Sequence, residues 1–146
     1  MPETAARVDP LLAFRFRVTF DDLPPAGFSE CGGLEVETEV YEYAEGGRNS
    51  NLLRFPTRTK HTSITLRRGI AGSVYWDWYD DVVDGLIRQR NGTIAILGPD
   101  GGGVAAEWQV RDAFPCKWIG PELVADQSAV AIETLELCHH GLRRRR

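Results

Sequence analysis

The chain has 146 residues, of which 42% are hydrophobic and 26% are charged, as expected for one globular domain that buries its own core. Its net charge is −4, and without the arginine run at residues 143–146 there are 13 basic residues against 21 acidic ones, a net charge of −8. An acidic body argues against specific nucleic-acid binding, which needs a basic face to neutralise phosphates. The arginine run could hold an acidic partner, but the favoured interpretation is a solvated, mobile tail.

No segment of the sequence reaches the ~20 apolar residues of a transmembrane helix, and the first residues lack the basic-then-apolar order of a secretory signal. Cys31, Cys116 and Cys138 lie far apart and are odd in number, which favours reduced thiols in a protein core. We therefore expect a protein that is made in the cytoplasm without a signal peptide. It would need another route if it works outside the cell.

Alternation of apolar and polar residues predicts the β-strands. Residues 14–20 form the first alternating run and residues 34–40 form the second. In the second run Glu35, Glu37 and Glu39 share one face, and three like charges in a row repel one another unless salt, water or a partner's arginines screen them. We therefore treat these glutamates as candidate assembly residues. Further strands are expected at residues 61–67, 93–97, 104–110, 116–119 and 129–139.

Two irregularities are expected within these strands. Pro115 should break the chain between the runs at residues 104–110 and 116–119, because proline cannot donate a ladder hydrogen bond. In the last strand Val130 and Ile132 share one phase, whereas the next two leucines fall on the other. Such a change of phase predicts a β-bulge.

The segment at residues 41–57 does not continue a regular period. Its glycines and asparagines give it reach, and its apolar residues give it surface to bury. A connection this long inside a compact domain is usually functional or disordered, so residues 46–55 are a candidate assembly arm. The alternative is a segment that folds back onto its own sheet. The candidate residues of the arm are Gly46, Gly47, Arg48, Asn49, Leu52, Leu53 and Phe55.

One helix is expected, with Ser73 as its N-cap and Asn91-Gly92 as its end. Gly85 in its interior costs ~1 kcal/mol relative to alanine, which predicts close packing there. Together with about seven strands, the helix predicts a mainly β (α+β) fold, an antiparallel β-sandwich or barrel with the helix covering one edge or end. The apolar stripe of the helix consists of Tyr75, Trp78, Tyr79, Val82 and Leu86, and its opposite face carries Asp77, Asp80, Asp81 and Asp84.

No motif in the sequence carries enzymatic chemistry. His139 and His140 are adjacent and would point to opposite faces of a strand, so they cannot easily share a metal ion. Neither a Gly-x-Ser-x-Gly motif nor a phosphate-binding loop is present. We therefore expect no catalytic residues, no cofactor and no metal. A role in assembly accounts for the acidic strand face, the apolar segment and the helix, which a partner would cover.

Six stretches of the sequence occur in an order that is found in a known family. They are AGFSECGGLEVETEV at residues 26–40, YAEGG at 43–47 with Asn49, ITLRRG at 64–69, WDW at 76–78, FPCKWIGP at 114–121 and VAIETLELCHHGL at 130–142. Together they resemble the tail tube proteins of contractile injection systems, which include the tube proteins of contractile bacteriophages. The resemblance runs from about residue 14 to residue 142 of one domain, 1–146. It leaves out an N-terminal extension, 1–12, and the basic tail, 143–146.

The resemblance implies a β-barrel-like sandwich with one helix, whose hexameric rings stack into a hollow tube. It also implies a sheath that drives the tube through a target envelope, baseplate and hub proteins as partners, and cargo in the lumen. The particle would be cytoplasmic or released. The resemblance brings no catalytic residues with it.

Other interpretations stay open at this point. The chain could be the main tube subunit or a tube-initiating ring next to the baseplate, and the particle could be a phage tail or an injection system. A small ligand-binding or flavin-type β-barrel protein is the alternative from a different functional class. Such a barrel would carry a bound ligand or chromophore and would stop at a dimer.

Overall fold

The computed structural model describes residues 15–44, 46, 52–70, 72–99, 103–126 and 128–146. Within these ranges the chain is mostly antiparallel β-structure with a single helix, which confirms the predicted fold class. The strands are β1 (Phe16–Phe20), β2 (Glu30–Gly32), β3 (Val36–Ala44), β4 (Leu52–His61), β5 (Ile64–Gly69), β6 (Arg90–Leu97), β7 (Val104–Ile119), β8 (Ile132–Cys138) and β9 (Gly141–Arg144), and the helix α1 spans Val74–Val83.

The long strand β7 organises the main sheet. The order of the sheet is β1-β6-β7-β8-β5-β2, and β9 also pairs with β7. The first part of β7 pairs with β6 and β9, whereas its last part pairs with β8. Between the two parts Asp112 has a φ of 52°, a left-handed conformation that aspartate tolerates, and its N–H donates to Asn91 Oδ1 at 3.0 Å. β7 therefore belongs to both halves of the sheet, which fold around one core.

The core draws on both halves of the sheet and on the helix. Valine, isoleucine, leucine and phenylalanine side chains that alternate along the strands point inward, as the sequence pattern predicts. Tyr75 and Trp78 of α1 close the core at one end, and Trp78 Nε1 donates to the Arg88 carbonyl at 2.9 Å. The strand residues of the core are Val18, Phe20, Ile64, Leu66, Ile94, Val110, Ala113, Leu135 and Leu137.

Neither of the two strand irregularities lies where the sequence predicts it. β7 continues through Pro115, which is buried beside a register shift where the ladder tolerates a missing donor. β8 has no change of phase, because Glu133 points into the protein in step with the leucines that follow it, while Ile132 is exposed. The bulge lies on the partner strand β7, at Cys116.

The C-terminal arginines are not a free tail. Arg143 and Arg144 pair with Gln109 and Trp108 of β7, so the expectation of a mobile tail is wrong for them. The guanidinium of Arg144 lies 5.9 Å from the centre of the Trp108 ring, and Arg145 Nε donates to Gln109 Oε1 at 2.9 Å. A cation over an indole ring stabilises this edge strand.

The helix is shorter than predicted and ends at Val83. Gly85 has a φ of 87° and donates to the Val82 carbonyl at 3.0 Å, while Leu86 N–H donates to the Asp81 carbonyl at 2.8 Å. These two bonds form a Schellman motif, which needs a left-handed residue. Gly85 therefore terminates the helix, and it does not mark close packing, because nothing lies within 4 Å of the position a Cβ would take.

The start of the helix also differs from the expectation. Ser73 precedes α1, but its hydroxyl contacts Asp77 Oδ2 at 3.2 Å and makes no cap bond to the backbone. Of the predicted apolar stripe, Tyr75 and Trp78 are buried, whereas Leu86 lies beyond the helix and is exposed. The stripe is therefore right for its first two turns only.

Truncation of Trp78 tests the placement of the helix. Trp78→Ala should lower the free energy of unfolding by about 3–5 kcal/mol, because a large side chain leaves a cavity in the core. Asp80→Ala, on the exposed face of the same helix, should change it by less than about 0.5 kcal/mol. Chemical denaturation of the two variants and the wild type gives the comparison, and similar midpoints for all three would contradict the assignment.

Candidate assembly surfaces

Two strands stand apart from the core sheet. Within the described residues, β3 and β4 pair only with each other, in an antiparallel hairpin. Much of the segment at residues 41–57 is therefore regular strand, and the expectation of an irregular connection is wrong. No single alternation fits the segment because the register shifts after Thr38, where Thr57 and Arg58 stand opposite Glu39 alone.

One face of the outer hairpin is apolar and exposed. Tyr41 lies directly opposite Phe55, and Tyr43 lies directly opposite Leu53, so the four side chains share a face. Their exposed fractions are 57%, 48%, 47% and 41% respectively. We call these four residues the apolar quartet. An isolated two-stranded hairpin is marginally stable in water, and exposed apolar patches mark contact sites.

The opposite face of the hairpin is mixed in character. Glu42 and Arg54 lie opposite each other and form an ion pair at 3.4 Å, and Leu52 is 58% exposed. The side chains of Leu52, Leu53 and Phe55 are thus uncovered by the body of the protein. The alternative that this segment folds back onto its own sheet does not hold for these residues.

The predicted glutamate row is only partly realised. Glu37 and Glu39 share one face of β3, but Glu35 precedes the strand, where its carbonyl accepts a hydrogen bond from Thr62 N–H at 3.3 Å. Glu39 forms an ion pair with Lys60 of β4. The hydrogen bond to Glu39 raises the pKa of Lys60. The hairpin therefore screens one of the three charges by itself.

The remaining predicted arm residues follow β3 in the sequence. Gly46 is in a turn. Gly47, Arg48 and Asn49 lie outside the described residues, so their role in assembly stays a prediction.

A buried histidine ties the root of the hairpin to the body. His139 Nε2 contacts the Thr62 carbonyl at 3.0 Å, between β4 and β5, and His139 Nδ1 accepts a hydrogen bond from Gly141 N–H at 3.3 Å. The ring is therefore neutral, with its proton on Nε2. Burial lowers the pKa of His139, and the ring of His61 lies 5.2 Å away. In the sequence, His139 stands out only as one of two adjacent histidines, a pattern that suggests a metal site and not this contact.

The root also requires a glycine. Gly33 has a φ of 85°, and a Cβ at this position would overlap the Ser63 carbonyl oxygen. Only glycine allows the two connecting segments at the root, β2 to β3 and β4 to β5, to approach this closely. Gly33 and His139 thus both make close contacts where the hairpin joins the body.

All three cysteines are free, and they differ in exposure. Cys31 is half-buried, and burial raises its pKa to about 11. Cys116 is exposed at the bulge of β7, so the expectation of a core thiol is wrong for this residue. Its pKa is also raised to about 11, chiefly by desolvation, which makes it a weak nucleophile at neutral pH.

The described part of the chain contains no cluster of three His, Cys, Asp or Glu side chains suited to a metal ion. Of the helices described, none has the length and apolar character needed to cross a membrane.

Solved structures share this architecture. A chain of the anti-feeding prophage baseplate, solved with 6-fold symmetry, is 27% identical, with a TM-score of 0.83 over 94% of this chain and 97% of that one. A chain of the PVC extracellular contractile injection system, from its sheath/tube terminator in the extended state, is 24% identical, with a TM-score of 0.87 over 97% and 100%. Hcp1 from Flavobacterium johnsoniae is 14% identical, with a TM-score of 0.56 over 90% and 94%. The last two likenesses concern the fold alone.

The chain thus has the tail-tube fold of phage-tail-like particles. The model of the T4-like virus tail tube protein gp19 family matches residues 12–143. The chain belongs to this tail tube family. A search of curated proteins found no match.

We expect His139 to make the protein less stable in acid. An unfolded histidine binds a proton near pH 6.5, whereas the folded ring resists protonation. The free energy of unfolding should therefore be highest above this pH and should fall as the pH drops towards the lowered pKa of the folded state. The neighbouring rings of His61 and His140 would add repulsion once they are charged.

Thermal unfolding between about pH 8 and about pH 5 measures this effect. His139→Gln keeps a donor for the Thr62 carbonyl but does not titrate, so its melting temperature should depend less on pH than that of the wild type. His140→Gln, at an exposed position, should retain the wild-type dependence. Parallel pH profiles for the wild type and His139→Gln would show that another group is responsible.

Proposed function

We propose that the chain is a structural protomer of the inner tube of a contractile, phage-tail-like injection system, and that hexameric rings of it stack into a hollow tube. Membership of the tail tube family supports this role. So does the likeness, at 27% identity, to a chain of a 6-fold symmetrised baseplate. The role is structural, and it assigns no catalytic residue to the chain.

The apolar quartet is the observation that carries the proposal. A monomer that leaves Tyr41, Tyr43, Leu53 and Phe55 in water gains nothing from them, whereas a neighbour that covers them gains the free energy of apolar burial. Aromatic residues are enriched among the residues that dominate interface energetics. The hairpin is thus an assembly arm that orders against the next subunit.

The polar candidates complete the proposed contact. Gly46, Gly47, Arg48 and Asn49, which lie between β3 and β4 in the sequence, would belong to this contact, and the glutamates at the root would meet basic groups of a neighbour. Glu35 forms no ion pair within the described part of the chain, so it is available for such a contact. Sites of this kind are heterologous, and they close into rings or continue as open stacks.

The proposed partners besides the chain itself are the other components of the particle. Related chains come from complexes of a contractile sheath with a tube, from a baseplate and from a cap that terminates a tube. We infer that this chain likewise assembles with sheath and baseplate proteins and that its lumen carries cargo. The particle would be made in the cytoplasm and could act there or after release. No observation favours a ligand-binding or flavin-type barrel.

Substitution of the quartet separates folding from assembly. Tyr41→Ser combined with Phe55→Ser should abolish tubes in negative-stain micrographs, since each anchor that is truncated at an interface costs about 2 kcal/mol or more, about thirtyfold in affinity. The free subunit should melt within a few degrees of the wild type, because both side chains are exposed.

The matched control is Leu86→Ser with Ile87→Ser, which removes two apolar side chains of similar exposure beyond the end of the helix. This control should still form tubes. Normal tubes from the quartet variant would contradict the proposal, and a wild-type protein that stays monomeric at high concentration in light scattering would contradict it more broadly.

A further inference from the structure

The hairpin and a second apolar surface lie at opposite ends of the same strand pair. In the β5–β8 ladder, Ile64 pairs with Leu137 next to the root of the hairpin, and Gly69 pairs with Ile132 at the far end. The ladder between these pairs is about 17 Å long, at about 3.4 Å per residue. The body of the protein therefore has two poles, with the hairpin at one and the connection between β7 and β8 at the other.

A groove opens at the far pole. It has a volume of about 380 Å³ and mostly apolar walls, and Leu123 in its wall is 84% exposed. We call it the far-pole groove. Its lining residues are Glu122, Leu123, Val124, Ala125, Ala129 and Ala131.

The groove is attached to the sheet although its side chains are uncovered. Ile70 N–H donates to the Ala131 carbonyl at 3.0 Å. The methyl group Cγ1 of Val130 would lie 3.3 Å from a Cβ at Gly69, so the connection packs tightly on the end of β5. Ile70 and Val130 are nevertheless 47% and 75% exposed. A fixed apolar surface of this kind is ready to receive a partner without first becoming ordered.

The groove and the hairpin each offer one exposed charge of opposite sign. Glu122 at the rim of the groove is exposed and forms no ion pair within the described residues. On the hairpin, Arg58 stands at the register shift, is exposed and likewise has no carboxylate partner in the described part of the chain. Complementary charges at an interface fix register and favour the correct partner.

We propose that the far-pole groove receives the apolar quartet of a second copy of this chain. Arg58 of the hairpin would then lie next to Glu122 of the groove. This inference rests on the proposed function and specifies the surface that the assembly arm contacts. Because the two surfaces lie at opposite poles, the contact is head-to-tail. A head-to-tail contact leaves one hairpin and one groove free at the ends, so the assembly continues as an open stack.

A substitution in the groove tests its role. Leu123→Asp should raise the protein concentration needed for tube growth at least tenfold, because a carboxylate cannot enter an apolar contact without losing its hydration. Leu86→Asp, the same change at an exposed leucine outside the groove, should leave tube growth unchanged. Circular dichroism melts should show both variants folded, since both positions face solvent.

Mixing experiments test the head-to-tail geometry. Phe55→Asp removes the hairpin contact and Leu123→Asp removes the groove contact, so neither protein alone should stack. A mixture of the two retains one intact pair of surfaces, and it should form joined pairs of subunits or of rings that grow no further. Analytical ultracentrifugation and negative-stain micrographs distinguish such pairs from tubes.

A charge exchange tests the register. Arg58→Glu and Glu122→Arg should each weaken tube growth, and the double variant should recover most of it. Normal tubes from Leu123→Asp, or a double variant that is no better than either single one, would overturn the inference and leave the proposed function intact. If Leu123→Asp impaired only the attachment of sheath or baseplate, the groove would serve another partner and the inference would also fail. Absence of tubes from the wild type would count against the proposed function itself.

Discussion

The buried ion pair of Arg68 and Glu133 holds the main parts of the protein together. Arg68 Nε on β5 donates to Glu133 Oε1 on β8 at 2.8 Å, and Trp118 Nε1 on β7 donates to Glu133 Oε2 at 3.0 Å. The rings of Phe28 and Tyr75 flank the guanidinium at 5.5 Å and 5.0 Å. Three strands, the helix and the loop before β2 therefore meet at one pair of charges. Removing one partner of such a pair costs about 3–5 kcal/mol, because the other charge stays buried and unpaired.

The body of the protein closes its core without the outer hairpin. Both halves of the main sheet and α1 close around their own core, and none of the described residues of the outer hairpin belongs to that core. The hairpin joins the body through its root, where His139 contacts the Thr62 carbonyl and Gly33 permits a close crossing. Its apolar quartet is thus free for a neighbour. In the proposed assembly, folding and stacking would use separate sets of apolar residues, as a protomer that folds first and stacks later requires.

Much of the main sheet could be predicted from local pattern. Alternation predicts β1 and β8, because one face of each strand is more buried than the other. A short apolar run predicts β6, in which residues on both faces are buried. The strand at β4 was missed because a register shift and two exposed faces remove the alternation. β9 could not be predicted because a run of arginines is typical of a solvent-exposed tail. Pairing with β7 and the contact with the Trp108 ring hold Arg144 in place.

The candidate site could be predicted in part. The exposure of Leu52, Leu53 and Phe55 could be predicted, since these apolar residues have no regular place in the alternating pattern. Their pairing with Tyr41 and Tyr43 could not be, because cross-strand partners depend on register. Glu133 shows the same limit. An inward-facing glutamate breaks the apolar alternation of the strand, and so suggests a bulge. Its partner Arg68 lies 65 residues away in the sequence, which local pattern does not show.

Hydrogen–deuterium exchange of the free subunit and of the assembled tube measures most directly whether the hairpin is completed by a neighbour. Amides of β7 and β8 should be protected in both states, because the body completes its own core. Amides of β3 and β4 should exchange quickly in the free subunit and should become strongly protected in the tube, together with those at residues 122–131. Equal protection of the hairpin in the two states would contradict the account, since it would show that the hairpin needs no neighbour.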